Sequence, residues 1–175
     1  MNYANIKCPD IANGLGCRIT LFVSGCEFHC PGCFNAEAWD FTAGKPYTGE
    51  TENYILNLLK PEYIQGLSVL GGEPLNPRNI ESVLNLISHV KNTMPEKDIW
   101  VYTGYTWEPL MHIIKSESLF GETLAKLIPM IDILVDGLFI ENKKDISLAF
   151  RGSSNQRIIK AKESIAQKDI ALLSI

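Results

Sequence analysis

The chain has 175 residues, of which 46% are hydrophobic and 21% charged, with a formal net charge of −4 at pH 7. This is the balance of an ordinary globular protein, and the length suits a single domain over residues 1–175. Neither a Lys/Arg-rich block nor an 18-residue apolar run occurs, which excludes nucleic acid and the membrane as favoured partners. We expect a cytoplasmic protein, because no signal-peptide pattern opens the chain. In a reducing compartment, the five cysteines predict metal-binding or reactive thiols rather than disulfides.

Strand and helix patterns alternate along most of the chain. Residues 1–17 are rich in turn formers and are predicted to be an irregular lead-in. Short apolar, β-branched segments predict buried strands at 18–24, 66–70, 98–102 and 131–135. Helical spacing predicts helices at 51–60, from about 77 to 91, from about 109, and at 122–130, and residues 158–175 are expected to form a strand and a closing helix. Because parallel neighbours need long connections, this order predicts a parallel sheet with crossover helices.

The first predicted strand leads into a cysteine loop, residues 24–35, with Cys26, Cys30 and Cys33 at the spacing C-x3-C-x2-C. Thiols this close in sequence can converge on one metal centre. Three sulfurs are one fewer than the four ligands of a closed iron–sulfur or zinc shell. A fourth position that no protein group fills would be open to another ligand.

Two other interpretations of these thiols stay open. Zinc would be held if His29, Cys8 or Cys17 supplied a fourth ligand, since the spacings also suit zinc. Cys17 is expected at the opposite end of the first strand from the cysteine loop, and Cys8 is less certain. The cysteines could also be buried simply as small hydrophobic residues.

Further polar motifs come directly after the later strands. Gly71-Gly72-Glu73-Pro74 follows the second strand, Thr103-Gly104-Tyr105 the third, and Asp136 the fourth. Glycines let backbone approach a ligand closely, and Glu73 adds a charged acceptor. Asp136 could accept hydrogen bonds from a ribose, pair with a cation or cap a turn. The carboxyl edge of a parallel sheet is where α/β proteins place their sites, so all these loops should meet there.

The cysteine spacing and the Gly-Gly-Glu-Pro sequence resemble those of the radical S-adenosylmethionine superfamily. The resemblance implies a partial, open (β/α) barrel in which the three thiolates hold a [4Fe-4S] cluster and S-adenosylmethionine completes its fourth iron. Gly32 departs from the family, which often has an aromatic residue there, so Phe28 or Phe34 would have to contact the adenine. The residues implied in cofactor binding are Gly32, Cys33, Phe34, Gly71, Gly72, Glu73 and Asp136.

Four further segments, 30–35, 103–105, 135–139 and 151–157, resemble the family of anaerobic ribonucleoside-triphosphate reductase activators. That resemblance implies a glycyl radical formed on the large reductase subunit, with flavodoxin or a similar protein as the electron donor. Amide and guanidinium groups of this region would contact cofactor or partner; they belong to Asn35, Arg151, Asn155 and Arg157. The alternatives are an activase of another glycyl-radical enzyme, another small radical S-adenosylmethionine enzyme, and a non-catalytic zinc-binding adaptor.

Overall fold

The computed structural model, which describes residues 1–175, contains seven strands and five helices. The strands are β1 Asn2–Asp10, β2 Cys17–Val23, β3 Lys45–Pro46, β4 Ile64–Gly71, β5 Asp98–Tyr102, β6 Ile133–Asp136 and β7 Arg157–Lys160. The helices are α1 Gly49–Leu59, α2 Ile80–Thr93, α3 Trp107–Ile113, α4 Leu119–Leu127 and α5 Ala161–Gln167. Short 3-10 turns lie at Ala36–Ala38, Ile128–Met130 and Glu141–Lys143.

All strands join one open, mixed sheet in the order β3-β1-β2-β4-β5-β6-β7. The four central strands β2, β4, β5 and β6 are parallel, as predicted. The outer strands are not, because β1 pairs antiparallel with β2, β3 with β1, and β7 with β6. The expectation of a sheet built from parallel strands therefore holds only for its centre, and the architecture is a mixed α/β sheet that does not close.

The register aligns the carboxyl ends of the central strands along one edge. Val23 at the end of β2 pairs with Gly71 at the end of β4, and Tyr102 at the end of β5 pairs with Val135. The loops that follow these strands therefore start side by side. This edge is where the sequence motifs were expected to meet.

The helices bury against one face of the sheet. Side chains from all five helices join a single cluster of 25 buried residues, together with alternate strand residues such as Ile19, Leu21 and Val23. On the opposite face, Trp100, Val135 and Ile158 form a smaller cluster. Because β2 is covered on both faces, almost all of its residues are buried, which explains its continuous apolar sequence.

The prediction of an irregular lead-in over residues 1–17 is wrong for its first half, where β1 forms. Asn2, Asn5, Pro9 and Asp10 are poor strand formers, so the sequence gives little sign of a strand. Pairing with β2 holds it in place, with register shifts between Tyr3 and Asn5 and between Lys7 and Asp10. Tertiary pairing here overrides local preference.

Helix starts also differ from the predicted ones. Helix α1 begins at Gly49, two residues before the predicted start at 51, and Thr48 caps it through a capping box with Thr51. Helix α4 begins three residues before the predicted Glu122, at Leu119, with Ser118 as its cap.

No helix of the structure has both the length and the apolar character that a membrane span requires.

Candidate metal centre

The cysteine loop starts at the carboxyl end of β2 and is strapped to the segment that returns to the sheet. The Gly25 amide donates to Ala38 O at 2.8 Å, and the Cys26 amide donates to Trp39 O at 3.0 Å. Gly25 has φ +96°, and a Cβ there would collide with the Phe41 ring, so only glycine fits at the root of the loop. The loop therefore holds a fixed path, with its three cysteines free and half-buried.

Burial raises the pKa of the Cys26 and Cys30 thiols above the ordinary value for cysteine. Backbone amides near each sulfur offset this only in part. The thiols are therefore neutral at pH 7 unless a cation stabilises the thiolate. A bound metal supplies that cation, which couples metal binding to release of their protons.

The Gly-Gly-Glu-Pro loop touches the root of the cysteine loop through backbone alone. The Gly72 amide donates to Val23 O at 2.7 Å, and the Glu73 amide donates to Gly25 O at 2.8 Å. A Cβ on Gly72 would lie 2.5 Å from Gly25 O, so no side chain fits between the two loops. The two motifs predicted to be neighbours are in direct contact.

Glu73 is buried and connects its own loop to the loop after β5. Its carboxylate accepts hydrogen bonds from the Leu75 amide (2.9 Å), the Thr103 hydroxyl (2.8 Å) and the Gly104 amide (2.7 Å). Burial raises the pKa of Glu73 to about 7, although these donors oppose the shift. The loops after β2, β4 and β5 thus form one hydrogen-bonded unit.

Asp136 is buried and pairs with a cation, which is one of the roles that the sequence allowed. Its oxygens accept from the Arg157 guanidinium and from the Trp107 amide, the latter at 2.8 Å. Arg157 also makes a two-pronged contact with Glu108, at 2.8 and 2.9 Å. Arg157 therefore binds carboxylates of this chain, and neither it nor Asp136 lines the cavity described below.

Apart from Arg157, the side chains of the segment 151–157 hydrogen-bond mainly to backbone between residues 137 and 156. Gln156 accepts from the Gly152 and Ser153 amides and donates to Gly137 O, while Asn155 donates to Leu138 O. Asn155 does not line the cavity. Arg151 does line it, donates to Gln156 O at 3.0 Å, and keeps a buried Nε without a partner.

One cavity of about 730 Å³ lies on the sheet face opposite the helices and extends to the loops at the carboxyl edge. It brings together most of the residues predicted from sequence. Those that line it are Cys26, Cys30, Gly32, Cys33, Phe34, Asn35, Gly71, Gly72, Glu73 and Arg151. Phe34 is fully exposed at its rim, and Phe28 packs edge-on against Tyr105 in its wall, with ring centroids 5.0 Å apart.

Sequence reasoning missed other residues of this region. Tyr102, at the end of β5, lines the cavity and has a buried hydroxyl without a partner. Its position follows from the alternation of β5, which could have identified it. Asn79, at the start of α2, bonds to both of the first two loops, and no local sequence signal indicates that contact.

Neither a histidine nor another cysteine joins the three thiols as a fourth ligand. The His29 ring stacks on Trp39 at 4.6 Å. Cys17 starts β2 at the end opposite the loop, and Cys8 lies on β1 next to Lys7, which pairs with Thr20 in the middle of β2. The structure contains no cage of three or more closely placed His, Cys, Asp or Glu side chains, so the thiols share a cavity wall without forming a closed site.

Fold and site together define an α/β protein with a thiol-lined cofactor cavity at the carboxyl edge of its parallel strands. Residues 12–159 match the family model described as a 4Fe-4S single cluster domain. This description names the kind of metal centre that the cysteine spacing left open between iron–sulfur and zinc.

The chain is 45% identical to the anaerobic ribonucleoside-triphosphate reductase-activating protein of Pasteurella multocida, across 90% of this chain and 96% of the relative. It is 42% identical to the protein of that name in Escherichia coli K12, across 89% and 96%. The counterpart from Enterobacteria phage T4 is 39% identical, across 90% and 93%. The chain therefore belongs to the family of anaerobic ribonucleoside-triphosphate reductase-activating proteins.

Proposed function

We propose that this protein forms a glycyl radical on anaerobic ribonucleoside-triphosphate reductase, using S-adenosylmethionine and a [4Fe-4S] cluster. The observation that carries the proposal is the shared cavity, where three thiols meet two glycine-containing loops at one sheet edge. The names of the relatives supply the partner, because each is called an activating protein of this reductase.

The donor set fits a cluster that keeps one iron free of protein. Cys26, Cys30 and Cys33 are soft ligands on one loop, and neither His29 nor Cys8 nor Cys17 is placed to complete the set. A cluster held by these three thiolates would supply one electron for cleavage of the bond between the sulfonium sulfur and C5′ of S-adenosylmethionine, which gives methionine, and the 5′-deoxyadenosyl fragment would take one hydrogen atom from a partner glycine.

The chain's own groups would bind and orient the cofactor. Backbone at Gly71 and Gly72 lies open to the cavity, so a ligand's ammonium can approach its carbonyls closely. Glu73 fixes this loop against Thr103 and Gly104 and, in its ionised form, adds negative charge beside it. Gly32, Cys33 and Phe34 would contact the cofactor from the cysteine loop, while the contacts of Asp136 support a structural role instead.

The open sheet supports assignment to the partial (β/α) barrel type of radical S-adenosylmethionine proteins. Its helices cover one face, and the cavity lies on the other without enclosure by further strands. An open side suits a protein segment as substrate. Asn35 and Arg151, which line the cavity, are the proposed contacts to cofactor or partner.

The electron donor and the location stay predictions. We propose flavodoxin or a similar protein as the donor, on the resemblance alone. A cytoplasmic location agrees with five free cysteines, because thiols persist in a reducing compartment.

The test is anaerobic activation of the reductase. Protein carrying its cluster is mixed with reductant, S-adenosylmethionine and the reductase large subunit, and EPR is recorded. A glycyl radical signal that requires all components is the expected result. No signal with the reductase, but a signal with another glycyl-radical enzyme, would contradict the assignment of partner.

A further inference from the structure

Asn79 stands at the start of α2, in the position of its N-cap, yet its side chain makes no capping bond. Asparagine is among the residues preferred at this position because its side chain accepts from the first turn of the helix. Here the side chain is 1% exposed and turns away from its helix toward two loops. The helix is thus denied its usual cap, and the amide is used elsewhere.

The Asn79 amide nitrogen donates to three backbone carbonyls. It lies 3.0 Å from Ser24 O and 3.4 Å from Gly25 O, both at the root of the cysteine loop. It also lies 3.0 Å from Glu73 O in the Gly-Gly-Glu-Pro loop. One buried side chain therefore joins the backbone that leads into Cys26 to the backbone that carries Glu73.

Few other contacts can perform this task. The strand ladder between β2 and β4 ends at Val23 and Gly71, before Cys26 in one loop and Glu73 in the other. Beyond it, the amides of Gly72 and Glu73 bond to Val23 O and Gly25 O. No side chain fits between the loops at Gly72, and Asn79 adds a further link from outside them.

Asn76 strengthens the same junction. Its side chain donates to Glu27 in the cysteine loop at 3.2 Å, and its carbonyl accepts from the Asn79 and Ile80 amides. The turn that precedes α2 therefore holds the cysteine loop at two points and presents Asn79 to both loops.

We propose that Asn79 is a positioning residue that fixes the cysteine loop relative to the Gly-Gly-Glu-Pro loop, and thereby aligns the metal centre with the S-adenosylmethionine site. The inference rests on the proposed function. Asn79 touches neither reacting group; it acts through the carbonyls of Ser24, Gly25 and Glu73. Loss of Asn79 should therefore weaken the binding of S-adenosylmethionine beside the cluster more than it weakens retention of the cluster itself.

The test compares variants that remove the donor but keep the helix start. Asn79→Asp places a carboxylate where three carbonyls need a donor, and Asn79→Ser is too short to reach all three. Both residues are favoured N-caps, so α2 keeps a good first turn. Leu86→Ala, in the buried face of the same helix, is the matched control because it destabilises the core without touching either loop.

Each variant is reconstituted anaerobically, its iron per chain is measured, and the reduced cluster is titrated with S-adenosylmethionine by EPR. We expect both Asn79 variants to keep near-normal iron while their affinity for S-adenosylmethionine falls roughly tenfold or more, as for other residues behind a metal site. Leu86→Ala should unfold more easily than the wild type and bind S-adenosylmethionine normally.

Three results would overturn this inference and leave the proposed function standing. Affinity could be unchanged in both Asn79 variants, or Leu86→Ala could lower it equally, which would mean a general effect of stability. Iron could be lost from both Asn79 variants alone, so that Asn79 would hold the cysteine loop rather than align two sites. A wild-type cluster with no response to S-adenosylmethionine would instead refute the proposed function, and this inference with it.

Discussion

The environment of each cysteine, more than its chemistry, separates the five thiols of this chain. Cys26, Cys30 and Cys33 line the cavity. Cys17 begins β2, whose 7 residues span about 23 Å at roughly 3.3 Å per residue, and the loop lies beyond its other end. Cys8 is exposed on β1, beside the first half of β2. Position therefore predicts two functional classes of cysteine.

Substitution of the cysteines tests this division. Cys26→Ala, Cys30→Ala and Cys33→Ala should each remove the cluster and all radical formation, because each leaves the metal centre with too few ligands. Cys17→Ser and Cys8→Ser serve as matched controls and should keep both. Iron per chain and the visible absorbance of anaerobically prepared protein are the measurements. Loss of metal from Cys8→Ser or Cys17→Ser as complete as from Cys30→Ala would indicate four protein ligands and no open iron.

Glu73 and Asp136 are both buried carboxylates, but they have different roles because their hydrogen-bond partners differ. Glu73 accepts from neutral donors and lies in the cavity wall, where burial raises its pKa to about 7. Asp136 faces Arg157 at the rear of the site and accepts a guanidinium. The motifs marked both carboxylates as functional, whereas their surroundings make one part of the cavity and the other a link between elements.

At the scale of elements, Arg157 joins three parts of the fold. It begins β7, pairs with Asp136 at the end of β6, and reaches Glu108 in α3. The Asp136 side chain is 1% exposed and that of Glu108 60% exposed, so the two ion pairs of Arg157 should contribute differently to stability. A buried carboxylate that loses its cation is costly, whereas an exposed pair contributes little.

Arg157→Ala should therefore lower the free energy of unfolding by about 3–5 kcal/mol, because it leaves Asp136 buried without its cation. Glu108→Gln, the control, should lower it by less than about 1 kcal/mol at pH 7. Urea unfolding of the metal-free variants measures both. An Arg157→Ala protein of unchanged stability that binds the reductase poorly would instead make Arg157 a partner contact.

The effect of Glu108→Gln on the free energy of unfolding should depend on pH. Hydrogen bonds from Arg157 lower the pKa of Glu108 to about 2, below its value in the unfolded chain. The contribution of Glu108 is thus present above about pH 4.5 and is lost as the pH falls toward 2. The stability difference between wild type and Glu108→Gln should shrink over that range.

The elements that sequence predicted best are those that packing covers on both faces. Strands β2, β4, β5 and β6 have largely apolar sequences because the helices cover one face of the sheet and residues such as Trp100 and Val135 are buried on the other. Strand β1 and the direction of β7 could not be predicted, since both depend on pairing with a neighbour. Local preference carries no information about such pairing.

The site also contains some residues that sequence motifs could locate and others whose contacts depend on the fold. Motifs located Cys26, Gly72 and Glu73, because ligand chemistry and spacing are properties of the sequence itself. The contact of Asn79 with Ser24 crosses 55 residues and that of Arg157 with Glu108 crosses 49, so neither could be predicted without the fold.

The whole molecule separates stability from chemistry. Helices and alternate strand residues form the large core on one face, and the opposite face holds the cavity. Near the amino ends of β2 and β4, buried Arg18 donates to Ser68 at 2.8 Å and lies over the Trp100 ring. The carboxyl edge is left to the loops, which leaves the cavity accessible to a segment of another protein.

In the proposed reaction, hydrogen passes from a glycine of the reductase to a nucleoside derived from S-adenosylmethionine. Reductase made with deuterated glycine, mixed anaerobically with this protein, reductant and S-adenosylmethionine, allows that transfer to be followed by mass spectrometry of 5′-deoxyadenosine. We expect one deuterium in the 5′-deoxyadenosine formed for each glycyl radical. A radical formed without deuterium in the 5′-deoxyadenosine would contradict it.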